Sequence, residues 1–118
     1  MKTTLTIEQS AELIKRGISV ERASAVDDIR AVIDGVPTFS PGTNPIFTLA
    51  DLLSLIPKKI ELDEKFYLDI TFSTRSKWEI CYMNTANSRY LNVEDSAELI
   101  DALNLMLIWC IDNHIKLD

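Results

Sequence analysis

From Leu99 to Ile111 the chain reads Leu-Ile-Asp-Ala-Leu-Asn-Leu-Met-Leu-Ile-Trp-Cys-Ile, the stretch that most limits how the rest can fold. Wound as a helix, it places Leu99, Ile100, Leu103, Met106, Leu107, Cys110 and Ile111 over most of its circumference. The polar stripe is thin: Glu94, Glu98, Asp101, Asn104 or Leu105, Ile108 and Asp112, with Ile108 interrupting it. A helix apolar over most of its girth is buried on more than one side. Asp95 with Glu98 supplies an acidic start, and the helix is expected to run to about Asn113.

A two-residue period just upstream supplies a surface for that helix. In Phe66 to Phe72 the residues 66, 68, 70 and 72 point one way and the polar residues the other. Trp78, Ile80 and Tyr82 repeat the pattern after a polar turn, Ser73 to Ser76. Paired antiparallel, the strands present Leu68, Ile70, Phe72, Trp78, Ile80 and Tyr82 on one face, which the final helix is expected to cover.

Two shorter helices complete the set. Thr6 with Gln9 forms a capping-box pattern. Ile7, Ala11, Ile14 and Ile18 then recur at helical spacing, and Gly17 can close the helix in the left-handed conformation. Thr48 caps a second helix, Leu49 to Ile56, with Leu49, Leu52, Leu53 and Ile56 as its apolar face. Pro57 stops it, and Lys58 and Lys59 follow beside its exposed carbonyls. Residues 24–40 admit two readings: a helix from Ser24 to Ile33 ended by Gly35, or a hairpin of Ile29–Ile33 and Val36–Ser40 turning at Asp34-Gly35. The hairpin is the reading adopted, with Pro37 confining its strand to an edge and Ser40 to Pro45 as a loop.

The 118 residues fit a single domain, 1–118, without repeats. At 47% apolar and 25% charged, the composition is globular rather than disordered. A net charge of −6, with adjacent bases at Lys15-Arg16 and Lys58-Lys59 alone, argues against a nucleic-acid backbone binder. The opening Met-Lys-Thr-Thr-Leu-Thr has no apolar core of a secretory signal, and the longest apolar run, Leu105 to Ile111, is too short to span a bilayer. A cytoplasmic, reduced protein that does not engage membranes is expected.

Catalytic constellations are hard to assemble from these residues. Cys81 and Cys110 lie in apolar patterns outside metal or redox spacing. With one histidine, His114, near the end of the last helix, a zinc site lacks ligands. Gly17, Gly35 and Gly42 belong to no phosphate-cradling loop, and no G-x-S-x-G elbow occurs. Asp27-Asp28 and the cluster Glu61, Asp63 and Glu64 are the carboxylates that could hold magnesium or do acid–base work. As connection residues they are read as solvated. No cofactor, metal or catalytic residue is therefore expected. Leu105, Ile108 and Trp109, if exposed on the final helix, would form an apolar surface that a partner or second copy covers. Tyr67 and Tyr90 stay unassigned.

Three segments, "TIEQSAELIKRGIS", "PIFTLADLLSLIPKKI" and "ELIDALNLMLIWCIDNHIKL", together resemble a family of small proteins encoded on prophages and mobile elements of gut anaerobic bacteria. Phe47 to Pro57 and Asp101 to Trp109 carry the closest likeness. The resemblance implies no catalytic residue; it implies an accessory or host-interaction role. The expectation is an α+β domain, a small antiparallel sheet packed against a long C-terminal helix with two shorter helices. Its expected role is non-enzymatic protein–protein interaction, with an unknown protein or with a second copy as a homodimer through the final helix. An acidic inhibitor of DNA-processing enzymes and a metal-assisted hydrolase are the alternatives.

Overall fold

The computed structural model describes residues 1–33 and 36–118, and for 27–33 and 36–43 the backbone alone. Elements follow in the order α1 (Ile7–Lys15), a 3-10 turn (Val20–Arg22), β1 (Ala25–Ile33), β2 (Val36–Ile46), α2 (Leu49–Leu55), β3 (Lys59–Glu61), β4 (Lys65–Phe72), β5 (Trp78–Asn84), β6 (Arg89–Ser96) and α3 (Leu99–Asp112). β1 and β2 form one antiparallel ribbon; β3-β4-β5-β6 form an antiparallel four-stranded sheet. The fold is α+β, with α3 packed on the larger sheet.

The ladder between β4 and β5 sets the packing. Leu68 pairs with Tyr82, Ile70 with Ile80 and Phe72 with Trp78, which puts all six on one face as the alternation requires. α3 lies on that face. Ile100, Leu103, Met106, Leu107 and Cys110 are fully buried together with Phe66, Ile80 and Tyr82. Leu52, Leu55 and Ile56 of the α2 segment and Leu13 of α1 belong to the same core. The Tyr82 hydroxyl donates to the Pro57 carbonyl at 2.7 Å, so the buried ring carries a satisfied polar tip that ties the sheet to the end of α2.

Helix ends follow the local chemistry. Thr6 accepts from the Gln9 backbone N–H at 3.1 Å while the Gln9 side chain accepts from Thr6, and Thr48 with Asp51 repeats this reciprocal cap on α2. Gly17 takes φ +109, with Gly17 N–H bonded to Ile14 and Ile18 N–H to Leu13. These are the bonds of a Schellman stop, and Ile18 is buried in the same cluster as Leu13. α3 ends in the same pattern: His114 N–H reaches Ile111 and Ile115 N–H reaches Cys110. There the left-handed position, φ +58, is occupied by His114. Lys58 Nζ donates to the Leu53 and Ile56 carbonyls at 2.6 Å, while Lys59 pairs with Glu61.

Several expectations need correction. Residues 25–33 form a strand, so the helical alternative is excluded; the proposed Asp34-Gly35 turn lies outside the described residues. Ser40 to Pro45 is not a separate loop. β2 continues to Ile46, and the register shift between Asp27↔Asn44 and Ile29↔Ser40 sets residues 41–43 of β2 against residue 28 of β1, absorbing two extra residues. In a two-stranded ribbon each strand has a free edge, so Pro37 and Pro45 are tolerated without N–H donors. α1 buries Ser10 and Leu13 rather than Ile7 and Ala11. Ser10 can be buried because its hydroxyl accepts the Phe47 N–H at 3.2 Å. α3 begins at Leu99, later than expected, because Glu94 and Asp95 belong to β6. Glu98, at its N-cap, makes no capping bond and instead accepts the Lys2 N–H at 3.0 Å.

Candidate functional site

Among the described residues Met1, Ile7, Val20, Val26, Leu62 and Phe72 are apolar and exposed at scattered positions, and two surfaces carry the remaining exposed apolar groups. The first is the outer stripe of α3 anticipated from sequence. Leu105 is 43% exposed there, while Ile108 and Trp109 are half-buried and rest against the core, Trp109 with its ring 6.3 Å from that of Tyr82. The stripe is bracketed by ion pairs: Asp101 accepts from Lys2 Nζ at 2.7 Å and Gln9 Nε2 at 3.0 Å, and Asp112 pairs with Arg16. Burial raises the Asp101 pKa, but the bonds from Lys2 and Gln9 outweigh it and hold the carboxyl below 3.8. These contacts fasten α1 and the N-terminal segment alongside α3 and narrow what remains open to Leu105 and its neighbours.

The second surface is the sheet face opposite α3. Strand alternation sends odd-numbered residues of β4 and β5 outward, and the β6 ladder places their partners beside them. Three ranks result: Lys59–Tyr67–Met83–Tyr90, Asp69–Cys81–Val93 and Thr71–Glu79–Asp95. Tyr67, Tyr90 and Val93 are 44%, 56% and 48% exposed. The shift between Tyr82 and Met83 sets Tyr90 beside Met83 and turns Leu91 toward the core. Asn92, on the α3 side, donates to Glu94 and contacts the Met106 sulfur. Cys81 lies buried in the middle rank; burial first, then the charges of Asp69 and Glu79, raise its thiol pKa.

The candidate chemical residues are dispersed among structural contacts. Glu61 is paired with Lys59, Asp63 accepts the Glu64 N–H, and Glu64 is held by Asn87 and Arg89. Among the described residues no three His, Cys, Asp or Glu side chains are grouped to hold a metal ion. The Asp27 and Asp28 side chains lie outside the description. Cys110 is buried, donates weakly to the Tyr82 hydroxyl at 3.9 Å, and burial pushes its pKa up to about 11. His114 serves the helix stop through its backbone. Among the described residues no helix is long and apolar enough to cross a membrane.

The outer sheet face was not assembled by sequence reasoning, although a signal was present. β5 reads Ile80-Cys81-Tyr82-Met83, apolar at both parities, whereas a strand with one solvated face alternates. Compared with known proteins, the chain matches no family model, no curated protein and no solved structure.

Proposed function

We propose that this protein is a non-enzymatic protein–protein interaction or accessory module, in line with the prophage and mobile-element resemblance of its three helical segments. The observation that carries this reading is the outer sheet face, where exposed Tyr67, Tyr90 and Val93 cluster in adjacent ranks around half-buried Met83. Exposed apolar residues gathered on one sheet face suit partner binding, and tyrosine is enriched where partners dock. Leu105, Ile108 and Trp109 form a second, smaller candidate contact, suited to self-association.

The test is affinity capture from host extract with the wild-type chain, a Tyr67→Ser/Tyr90→Ser variant and a Leu105→Asp variant, alongside sedimentation at several concentrations. A partner retained by the wild type and lost from the tyrosine variant supports the reading. The same captured set for all three, with no concentration-dependent mass, contradicts it. An acidic inhibitor of DNA-processing enzymes is the second reading, favoured by the outward carboxylates Asp69, Glu79 and Asp95; it requires salt-sensitive inhibition of a nuclease.

A further inference from the structure

The outer face is graded in character. Its first rank sets Lys59 of β3 beside the aromatic and thioether groups, with Lys65 next along β4; its second mixes Asp69 with Cys81 and Val93, and its third holds Glu79 directly across from Asp95. Like charges facing each other across a ladder repel, and Asp69 lies on the neighbouring rank. Among the described residues Glu12, Glu61, Glu64, Asp101, Asp112 and Asp118 each meet a cation, while Glu8, Glu21, Asp51, Asp63, Glu94 and Glu98 form no ion pair. What distinguishes this face is that its carboxylates face one another. Asp69, Glu79 and Asp95 form no ion pair among the described residues, although Lys65 and Lys77 are close in sequence. An apolar parity on β5 that asks for cover thus adjoins carboxylates that ask for positive charge.

We infer that this face docks a short cationic segment of a partner protein, its arginine or lysine side chains on Asp69, Glu79 and Asp95 and its apolar side chains on Tyr67, Met83 and Tyr90. The inference rests on the interaction-module reading and names the chemistry of the partner. Arginine suits both halves, because its planar guanidinium pairs with carboxylates and stacks on tyrosine rings. Size favours a segment over a second copy. Ranks about 6.8 Å apart on strands about 4.8 Å apart give a face of roughly 300 Å² with side chains included. A stable dimer needs about 800 Å² per partner. Charge points the same way, since two copies at −6 each repel. Three ranks span about 14 Å, the length of four or five extended residues.

The probe is a random dodecapeptide phage library panned on the full-length chain, with Asp69→Asn/Glu79→Gln/Asp95→Asn and Tyr67→Ser/Tyr90→Ser variants checked for native circular dichroism. Selected peptides are expected to carry two or more arginines or lysines beside an aliphatic or aromatic residue. They should bind the carboxylate variant about tenfold more weakly, the sum of three rim-exposed charge pairs, and lose affinity with salt. Peptides without cationic bias that still require Tyr67 and Tyr90 would overturn the cationic inference and leave the interaction reading standing. Peptides indifferent to both variants, or no enrichment, would overturn the sheet face as a docking site altogether.

Discussion

Leu103 and Leu105 stand two residues apart on α3, one fully buried and the other nearly half exposed. Replacing each with alanine changes the same atoms and the same helix propensity, so the difference between the variants isolates burial. Leu103→Ala removes apolar carbon worth about 2.4 kcal/mol of transfer free energy at ~0.8 per methylene. The cavity left between α3 and the sheet raises the loss to about 3–4 kcal/mol. At Leu105 a little over half of the transfer contribution applies and solvent fills the gap, for a loss of about 1 kcal/mol. A chain of this length has roughly 6–18 kcal/mol of stability at ~0.05–0.15 per residue, so both variants should fold. Urea unfolding with a slope of about 1.5 kcal/mol/M then places the Leu103→Ala midpoint about 2 M below wild type and the Leu105→Ala midpoint under 1 M below. Equal losses at the two positions would refute the helix orientation. A Leu105→Ala loss that grows with protein concentration would place Leu105 in a homodimer contact, because association stabilises the folded state by mass action.

Three further outcomes follow from individual contacts. The Asn104 Oδ1 is buried without a partner, so Asn104→Leu should raise stability by about 1–2 kcal/mol in urea unfolding; a loss would reveal a hidden bond. Burial raises the Asp51 pKa, but bonds from the backbone and hydroxyls of Thr48 and Ser24 outweigh it and hold the carboxyl below 3.8. A depressed folded-state pKa stabilises above the unfolded value and is lost as pH falls through the folded one. Asp51→Asn should therefore be less stable than wild type at neutral pH, with the gap closing below about pH 3.8; a pH-independent gap contradicts the cap. His114 holds a left-handed backbone, so His114→Gly should gain about 1 kcal/mol and His114→Val lose stability in thermal melts. Identical melts for both would remove the structural account of this histidine.

Much of the fold was legible because its strongest signals are local and periodic. Thr6 with Gln9, Thr48, Pro57 and Gly17 mark helix ends by their own chemistry, and the alternation through Phe66–Phe72 and Trp78–Tyr82 dictates one register. β6 stayed hidden because its core-facing positions include Asn92 and Glu94, polar groups placed at the sheet edge, and because a bulge breaks its period. β3 is three residues long and exists through its pairing with β4. On α1, burial of Ser10 depends on the Phe47 N–H, a contact 37 residues away that no helical period encodes. The same periodic reasoning placed Leu105, Ile108 and Trp109 on one side of α3, where Leu105 is exposed and Ile108 and Trp109 pack against the core. The outer sheet face was not legible, because it exists only once β6 brings Tyr90, Val93 and Asp95 beside β5.

The account depends on a sheet whose one face is covered by α3 around Phe66, Ile80 and Tyr82, leaving Phe72 exposed beyond it, and whose other face presents Tyr67 and Tyr90. Hydroxyl-radical footprinting read by mass spectrometry measures that asymmetry directly. Tyr67, Tyr90 and half-buried Met83 should be oxidised many times faster than Tyr82 and Met106, which are buried between the sheet and α3 with no exposed surface. Comparable rates for Tyr82 and Tyr67, or for Met106 and Met83, would mean that α3 does not cover the face assigned to it.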